Sequence, residues 1–350
     1  MPLLSVLDQS PVRRGGSPAE AIHETLELAQ LCDRLGYRRY WLAEHHSTPG
    51  LAGSSPEVLI GQVAARTSRI RVGAGGIMLS HYRPLKVAEN FRMLETLIPG
   101  RIDLGIGRAP GSDPLTANAL GEPGDGAESE WGSERRGPVT GFPQKVSDLL
   151  AFLHDRVPPD HPFAGVRAMP AGPSAPEVWL LGSSDHSAAS AAHFGTAFSF
   201  AHFINADGGA DVTRAYTRAF RPSPWLAAPR ASIAVFVVCA DTEAAARRLA
   251  LSRELFIVWL STGRAAPYPS PEEAEAYPYT PRERLILEQA RRRTIAGDAG
   301  QVRERLRALA EEYGVDELVI VTITHDPKAR RRSYELLAEA FAADGLTNNG

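Results

Sequence analysis

A chain of 350 residues, 43% apolar and 23% charged with a net charge of −3, can bury the core of one large α/β domain or two modest ones. This balance excludes wholesale disorder, and the interspersed acids and bases exclude a nucleic-acid stripe or a polybasic membrane patch. No apolar run approaches the ~18 residues of a spanning helix, and the opening MPLLSVLDQSP lacks the basic start of a signal peptide. Two distant cysteines, Cys32 and Cys239, give neither a disulfide framework nor a metal spacing. A soluble, cytoplasmic protein is expected, without nucleic-acid or membrane partners.

The first apolar run, residues 3–7, is followed by SPAE at 17–20. Ser17 can cap a helix, Pro18 suits its first position and Glu20 completes a capping box. Gly36 can end that helix in the left-handed conformation. A strand at 39–43 then completes a βαβ unit. A second Ser-Pro start, at Ser55, opens a helix over 55–67, before an alternating strand at 69–77. A helix at 84–98, stopped by Pro99-Gly100, leads to a strand at 101–107. Strands beginning near 3, 39, 69 and 101 have the spacing of βα units.

The rhythm breaks at 109–141, rich in Gly, Pro, Ser and Glu. A helix at 143–155, a strand at 177–182, a helix at 185–194 and strands at 196–201 and 232–240 follow. A helix from 242 runs into a second long excursion, 253–295. A helix at 301–313, an eighth strand at 317–322 and a last helix at 329–342 complete the chain. Eight strands with intervening helices predict an α/β fold, a (β/α)8 TIM barrel forming one domain over 1–350. The segments 109–141 and 253–295 are read as long βα-loop insertions, able to act as lids. An open doubly wound sheet is the alternative. In a barrel the chemistry sits at the C-terminal strand ends.

Three of those ends carry informative residues. Strand two ends in Glu44-His45-His46. The run reads as a metal site, as a packed or capping pair, or as a single proton-handling histidine. Adjacent side chains on an extended chain point to opposite faces, so both imidazoles cannot ligate one metal unless the chain turns there. The end of strand one offers no His-x-His to complete a metal set. Strand three contains Gly75-Gly76, and glycines inside a barrel strand ask for a bulge, a cis peptide or the close approach of a flat ligand. After strand five, Gly182-Ser183-Ser184 precedes a helix whose first turn includes Ser187. Open N–H groups there favour an anion, and Arg108, after strand four, could supply a cationic fork for a phosphate.

LAEHHSTPG, RIRVGAGGIML, RPLKVAENFRMLETLIPGRIDLGIGRAPGSD, LLGSSDHSAASAAHFG and IAGDAGQVRERL before ELVIV together resemble the luciferase-like flavin-dependent monooxygenases. The resemblance covers most of the chain and is most specific over residues 40–113. It implies a barrel that binds reduced FMN, supplied by a separate flavin reductase. One atom of O2 then passes to a small-molecule substrate. The family's active-site histidine matches His45, with Glu44 as support orienting it and His46 structural. Its cis peptide matches Gly75-Gly76, its phosphate arginine Arg108, and its phosphate turn Ser183, Ser184 and Ser187. Met78, Phe200 and Phe203 could shape the substrate pocket. The resemblance also implies a homodimer. Gly107 stands where bacterial luciferase has a reactive cysteine, and Ser183 where it has a carboxylate, which argues against light emission. A deazaflavin-dependent hydride transferase of the same family and a non-catalytic flavin-binding protein remain the alternatives.

Overall fold

The computed structural model describes residues 2–109, 111–121 and 141–342. Among the described residues nine parallel strands alternate with helices. They are β1 (Leu3–Asp8), β2 (Arg39–Leu42), β3 (Arg71–Met78), β4 (Ile102–Gly107), β5 (Glu177–Gly182), β6 (Ala197–Ala201), β7 (Ala231–Cys239), β8 (Thr294–Gly297) and β9 (Glu317–Val321). The first seven pair in chain order, and β9 joins β7 to β1. Eight strands therefore close the expected barrel, an α/β TIM-barrel fold. The ninth, β8, pairs with Phe236–Cys239 in the second half of β7. Its first two residues fall within the expected 253–295 insertion and its last two just beyond it.

The helices are α1 (Pro18–Leu35), α2 (Pro56–Ala64), α3 (Pro84–Leu97), α4 (Pro114–Ala119), α5 (Phe142–Leu153), α6 (Asp185–Phe194), α7 (Gly209–Ala219), α8 (Glu243–Ser261), α9 (Pro271–Ala276), α10 (Pro281–Arg292), α11 (Ala299–Tyr313) and α12 (Pro327–Ala342). The first starts as expected, with the reciprocal Ser17–Glu20 capping box, and ends at Gly36 with φ 84°. Ser55 occupies the N-cap of α2, but its side chain makes no capping bond. Capping boxes also start α9, α10 and α11, at Ser270–Glu273, Thr280–Glu283 and Asp298–Gln301. The 253–295 segment is thus mostly helix. It packs inward through Tyr268, which stacks 3.9 Å from Phe256 and is buried. Of the other expected insertion, 109–141, residues 110 and 122–140 lie outside the described residues.

Strand alternation divides the barrel strands between two cores. Outward side chains such as Val6, Tyr40, Val72, Leu104, Val178 and Ile320 meet the helices. Inward ones, including Leu7, Trp41, Trp179, Ala234, Phe236 and Val319, fill the barrel. Near the strand starts the interior is ionic. Arg39 reaches Asp103 (2.9 Å), Glu177 (3.0 Å) and Glu317 (2.7 Å), and Arg71 meets Asp103 (2.5 Å). These charges are taken from water but are mutually neutralised and hydrogen-bonded, the condition under which buried ions are tolerated. Above them Trp41 and Trp179 cross edge to face at 5.2 Å. The barrel is therefore filled at its N-terminal end, and open space remains at the other.

Candidate active site

That space is a cleft of about 300 Å³ at the C-terminal strand ends. Residues from β1 to β7 contribute to its wall. Leu7 and Gln9 come from the end of β1, Ala43, Glu44 and His45 from β2, and Gly75, Gly76 and Met78 from β3. Gly107 and Arg108 follow β4. Ser183, Ser184 and Ser187 follow β5.

His45 and His46 part just beyond the end of β2. His45 lines the cleft and His46 does not. Burial, with a smaller contribution from His46, pulls the His45 imidazole down to about 4, so it is neutral at neutral pH. Its Nδ1 is sealed from solvent and has no hydrogen-bond partner. Glu44 differs from expectation. It does not orient His45; its carboxylate is held on three other groups. Oε1 takes His46 Nε2 at 2.7 Å and the Tyr82 hydroxyl at 2.6 Å, and Oε2 accepts the Met78 backbone N–H at 2.8 Å. Burial, together with the bond to Glu44, pushes the Tyr82 hydroxyl up. Glu44 therefore ties the ends of β2 and β3 together behind the cleft. Among the described residues no group of His, Cys, Asp and Glu is placed to hold a metal ion.

The Gly75-Gly76 peptide is cis. Pairing of β3 with β4 slips there: Ala74 faces Leu104, but Ile77 faces Ile106. Three residues on one strand thus advance against two on the other, which is a bulge. A Cβ on Gly76 would stand 2.6 Å from the Gly105 carbonyl oxygen, and one on Gly75 2.6 Å from Leu7 and 2.9 Å from Trp41. Only glycine fits either position, and the result is a bare stretch of backbone in the cleft wall.

Arg108, Ser183, Ser184 and Ser187 also meet at this one cleft. Arg108 is exposed, and its backbone carbonyl is held by Ser80 Oγ at 3.0 Å. Its guanidinium has no ion pair among the described residues. Ser184 is the N-cap of α6 with extended φ −140° and ψ 162°, yet its side chain makes no capping bond. The Ser187 hydroxyl donates to Ser184 O at 2.7 Å. An uncommitted guanidinium, an uncapped helix N-terminus and hydroxyls around one cleft are the donor set that a phosphate monoester takes. Met78 and Phe203 line the cleft. Phe200 does not: it points outward, buried against Tyr313 with ring centroids 5.9 Å apart. Gln9 and His186, at expected strand ends but given no role there, also border the cleft, as does Phe142, and Tyr82 holds Glu44. Phe142 and Tyr82 stand in none of the stretches that carry the resemblance.

The sequence pattern of the family described as luciferase-like monooxygenase matches residues 3–317. The chain belongs to the luciferase-like monooxygenase family. It is 47% identical over 342 residues to YwcH of Bacillus subtilis, an uncharacterised protein, covering 97% of this chain and 99% of that one. It is 39% identical over 341 residues to the N-acetyl-S-alkylcysteine monooxygenase of the same bacterium, covering 97% and 98%. Among solved structures, apo-MsnO8 is similar at 39% identity with a TM-score of 0.85, covering 97% of this chain and 98% of that chain. These likenesses run over nearly the whole barrel and so include every cleft residue named above. No helix of the described residues is long and apolar enough to cross a membrane.

Proposed function

We propose that the protein is a flavin-dependent monooxygenase, taking reduced FMN from a separate reductase and oxygenating a small organic substrate with O2 at this cleft. The observation that carries the reading is the unpaired Arg108 guanidinium beside the uncapped N-terminus of α6, in one cleft with the bare Gly75-Gly76 backbone. Bound there, reduced FMN would supply the electrons that activate O2, from which one atom would pass to the substrate. The protein's residues would do the rest. Arg108, Ser183, Ser184 and Ser187 would hold the phosphate. Gly75 and Gly76, lacking side chains, would let the ring lie against the strand. His45, neutral and with Nδ1 sealed, would take or give a proton at Nε2. Leu7, Leu181, Met78 and Phe203 would keep water from the reacting atoms.

The relative named for N-acetyl-S-alkylcysteines makes those thioethers the first substrates to assay. Exposed Val58 on α2 and Met93 and Leu97 on α3 support a homodimer packed through neighbouring helices.

Oxygen consumption with reduced FMN and with reduced deazaflavin tests the reading. Uptake with FMN supports it, and hydride transfer from deazaflavin without oxygen uptake overturns it. So does tight FMN retention without reductase-dependent product. Arg108→Ala should weaken FMN binding roughly tenfold or more, as loss of a charge-assisted contact does, and leave riboflavin affinity nearly unchanged. Equal losses for both ligands reject the phosphate role.

A further inference from the structure

Four arginines among the described residues are buried: Arg39, Arg92, Arg253 and Arg330. Three are held by carboxylates or by several carbonyls, although one Arg330 nitrogen, Nη1, is left without a hydrogen-bond partner. Arg39 meets three carboxylates, and Arg330 meets Asp8 at 2.6 Å. Arg92 donates to the carbonyls of Leu153, Pro170 and Gly172. Arg253, on α8, has no ion pair. It is 4% exposed. Its guanidinium lies 3.9 Å over the Phe236 ring. One nitrogen reaches Thr294 Oγ1 at 2.9 Å, and another the Phe203 carbonyl at 3.4 Å. The adjacent carboxylate, Glu254, is committed to Arg291 at 3.0 Å. Burial lowers Arg253 to about 10, which still leaves it a cation at neutral pH.

An uncompensated buried charge is costly, and its place suggests what compensates it. Phe203, Ile204 and Ala234 form the β6–β7 side of the cleft. Phe236 lies two residues beyond Ala234 on the same inward face of β7, towards the mouth. The Arg253 guanidinium therefore stands directly behind that wall. A second guanidinium, Arg293, donates to the Ile204 carbonyl. The phosphate donors, Arg108 and the α6 terminus, follow β4 and β5, and the cis step lies on β3, so the β6–β7 side is left for the substrate.

We propose that Arg253 makes the β6–β7 side of the cleft a subsite for an anion, and that the substrate seated there carries a carboxylate. The proposal rests on the reading of the cleft as a combined flavin and substrate site. Acting through protein of low effective dielectric, one such charge behind the wall favours an anion by roughly tenfold or more in affinity.

Hexanoate, benzoate and N-acetyl-S-benzylcysteine, each beside its methyl ester, are titrated by calorimetry into wild type, Arg253→Met and Arg253→Lys, with and without FMN. Wild type should bind at least one acid about tenfold more tightly than its ester. Arg253→Met should abolish that preference at unchanged FMN affinity, and Arg253→Lys, which keeps the charge, should retain it. A purely packing role for Arg253 would not alter the acid-to-ester ratio. Absence of any acid preference in wild type, or its survival in Arg253→Met, overturns the proposal. A parallel fall in FMN affinity assigns the charge to the flavin and also overturns it. Where Met prevents folding, the wild-type ratio and the Lys variant decide. If FMN binds to no form, the flavin reading fails separately, and the acid-to-ester ratio without FMN still judges the subsite.

Discussion

Glu44 spends one buried carboxylate on three donors from two strands. Glu44→Gln keeps the volume but brings an NH2 group against donors, leaving at least one unpaired. A loss of about 1–3 kcal/mol is expected, measured by urea unfolding; an unchanged midpoint would reject the bracing role. His45→Ala should lower the rate of product formation about 100-fold or more, the scale of lost proton transfer, while FMN affinity changes little. Equal turnover in the variant would remove His45 from the chemistry. That the two histidines would part was legible in the sequence from alternation, and the resemblance of LAEHHSTPG to the family pointed to His45. The work of Glu44 was not legible, because Met78 and Tyr82 lie 34 and 38 residues away and nothing in EHH points to them.

At the scale of single elements, β3 was the most legible. Two glycines in a strand announced an irregularity, and the strand carries both a bulge and a cis peptide at that step. Gly76→Ala should cost about 2 kcal/mol or more, since its Cβ would press on the Gly105 carbonyl. A melting temperature equal to wild type would show that β3 and β4 can separate there without penalty. Five elements have no counterpart in the expected order: α4, α7, α9, α10 and β8. The helix α7 starts in Gly208-Gly209, with Gly208 at φ 68°, and no polar side chain caps it. The four-residue β8 is too short to display alternation. It exists because the free edge of β7 beyond Val235 accepts it, a tertiary cause with no local sign.

For the whole molecule, the barrel could be counted from the spacing of its strands, whereas the filling of its two ends could not. Arg39, Asp103, Glu177 and Glu317 come from four strands and meet only once the ring has closed. The distribution of buried imidazoles sets a pH response. His45 and His154 are each drawn from 6.5 to about 4, foremost by burial; His154, stacked on Trp225 at 4.6 Å, is lowered further by Arg156 and Arg92. Between those values the unfolded chain binds protons that the folded chain refuses, so stability must rise with pH across that window. It should be complete above about pH 6.5 and decline as pH falls towards 4. Burial alone would raise the carboxyl of Asp8, but Arg330, Tyr40 and Ser10 hold it below 3.8, adding a further loss at still lower pH. Unfolding free energies measured across this range should flatten in His154→Gln; an unaltered slope would show that the imidazole is not the titrating group.

The ionic plug below Trp41 and Trp179 also dictates traffic. With that end stoppered, a guest of the cleft would come and go by way of the strand tips, and of two guests held there together the one nearer the plug would be the later to leave.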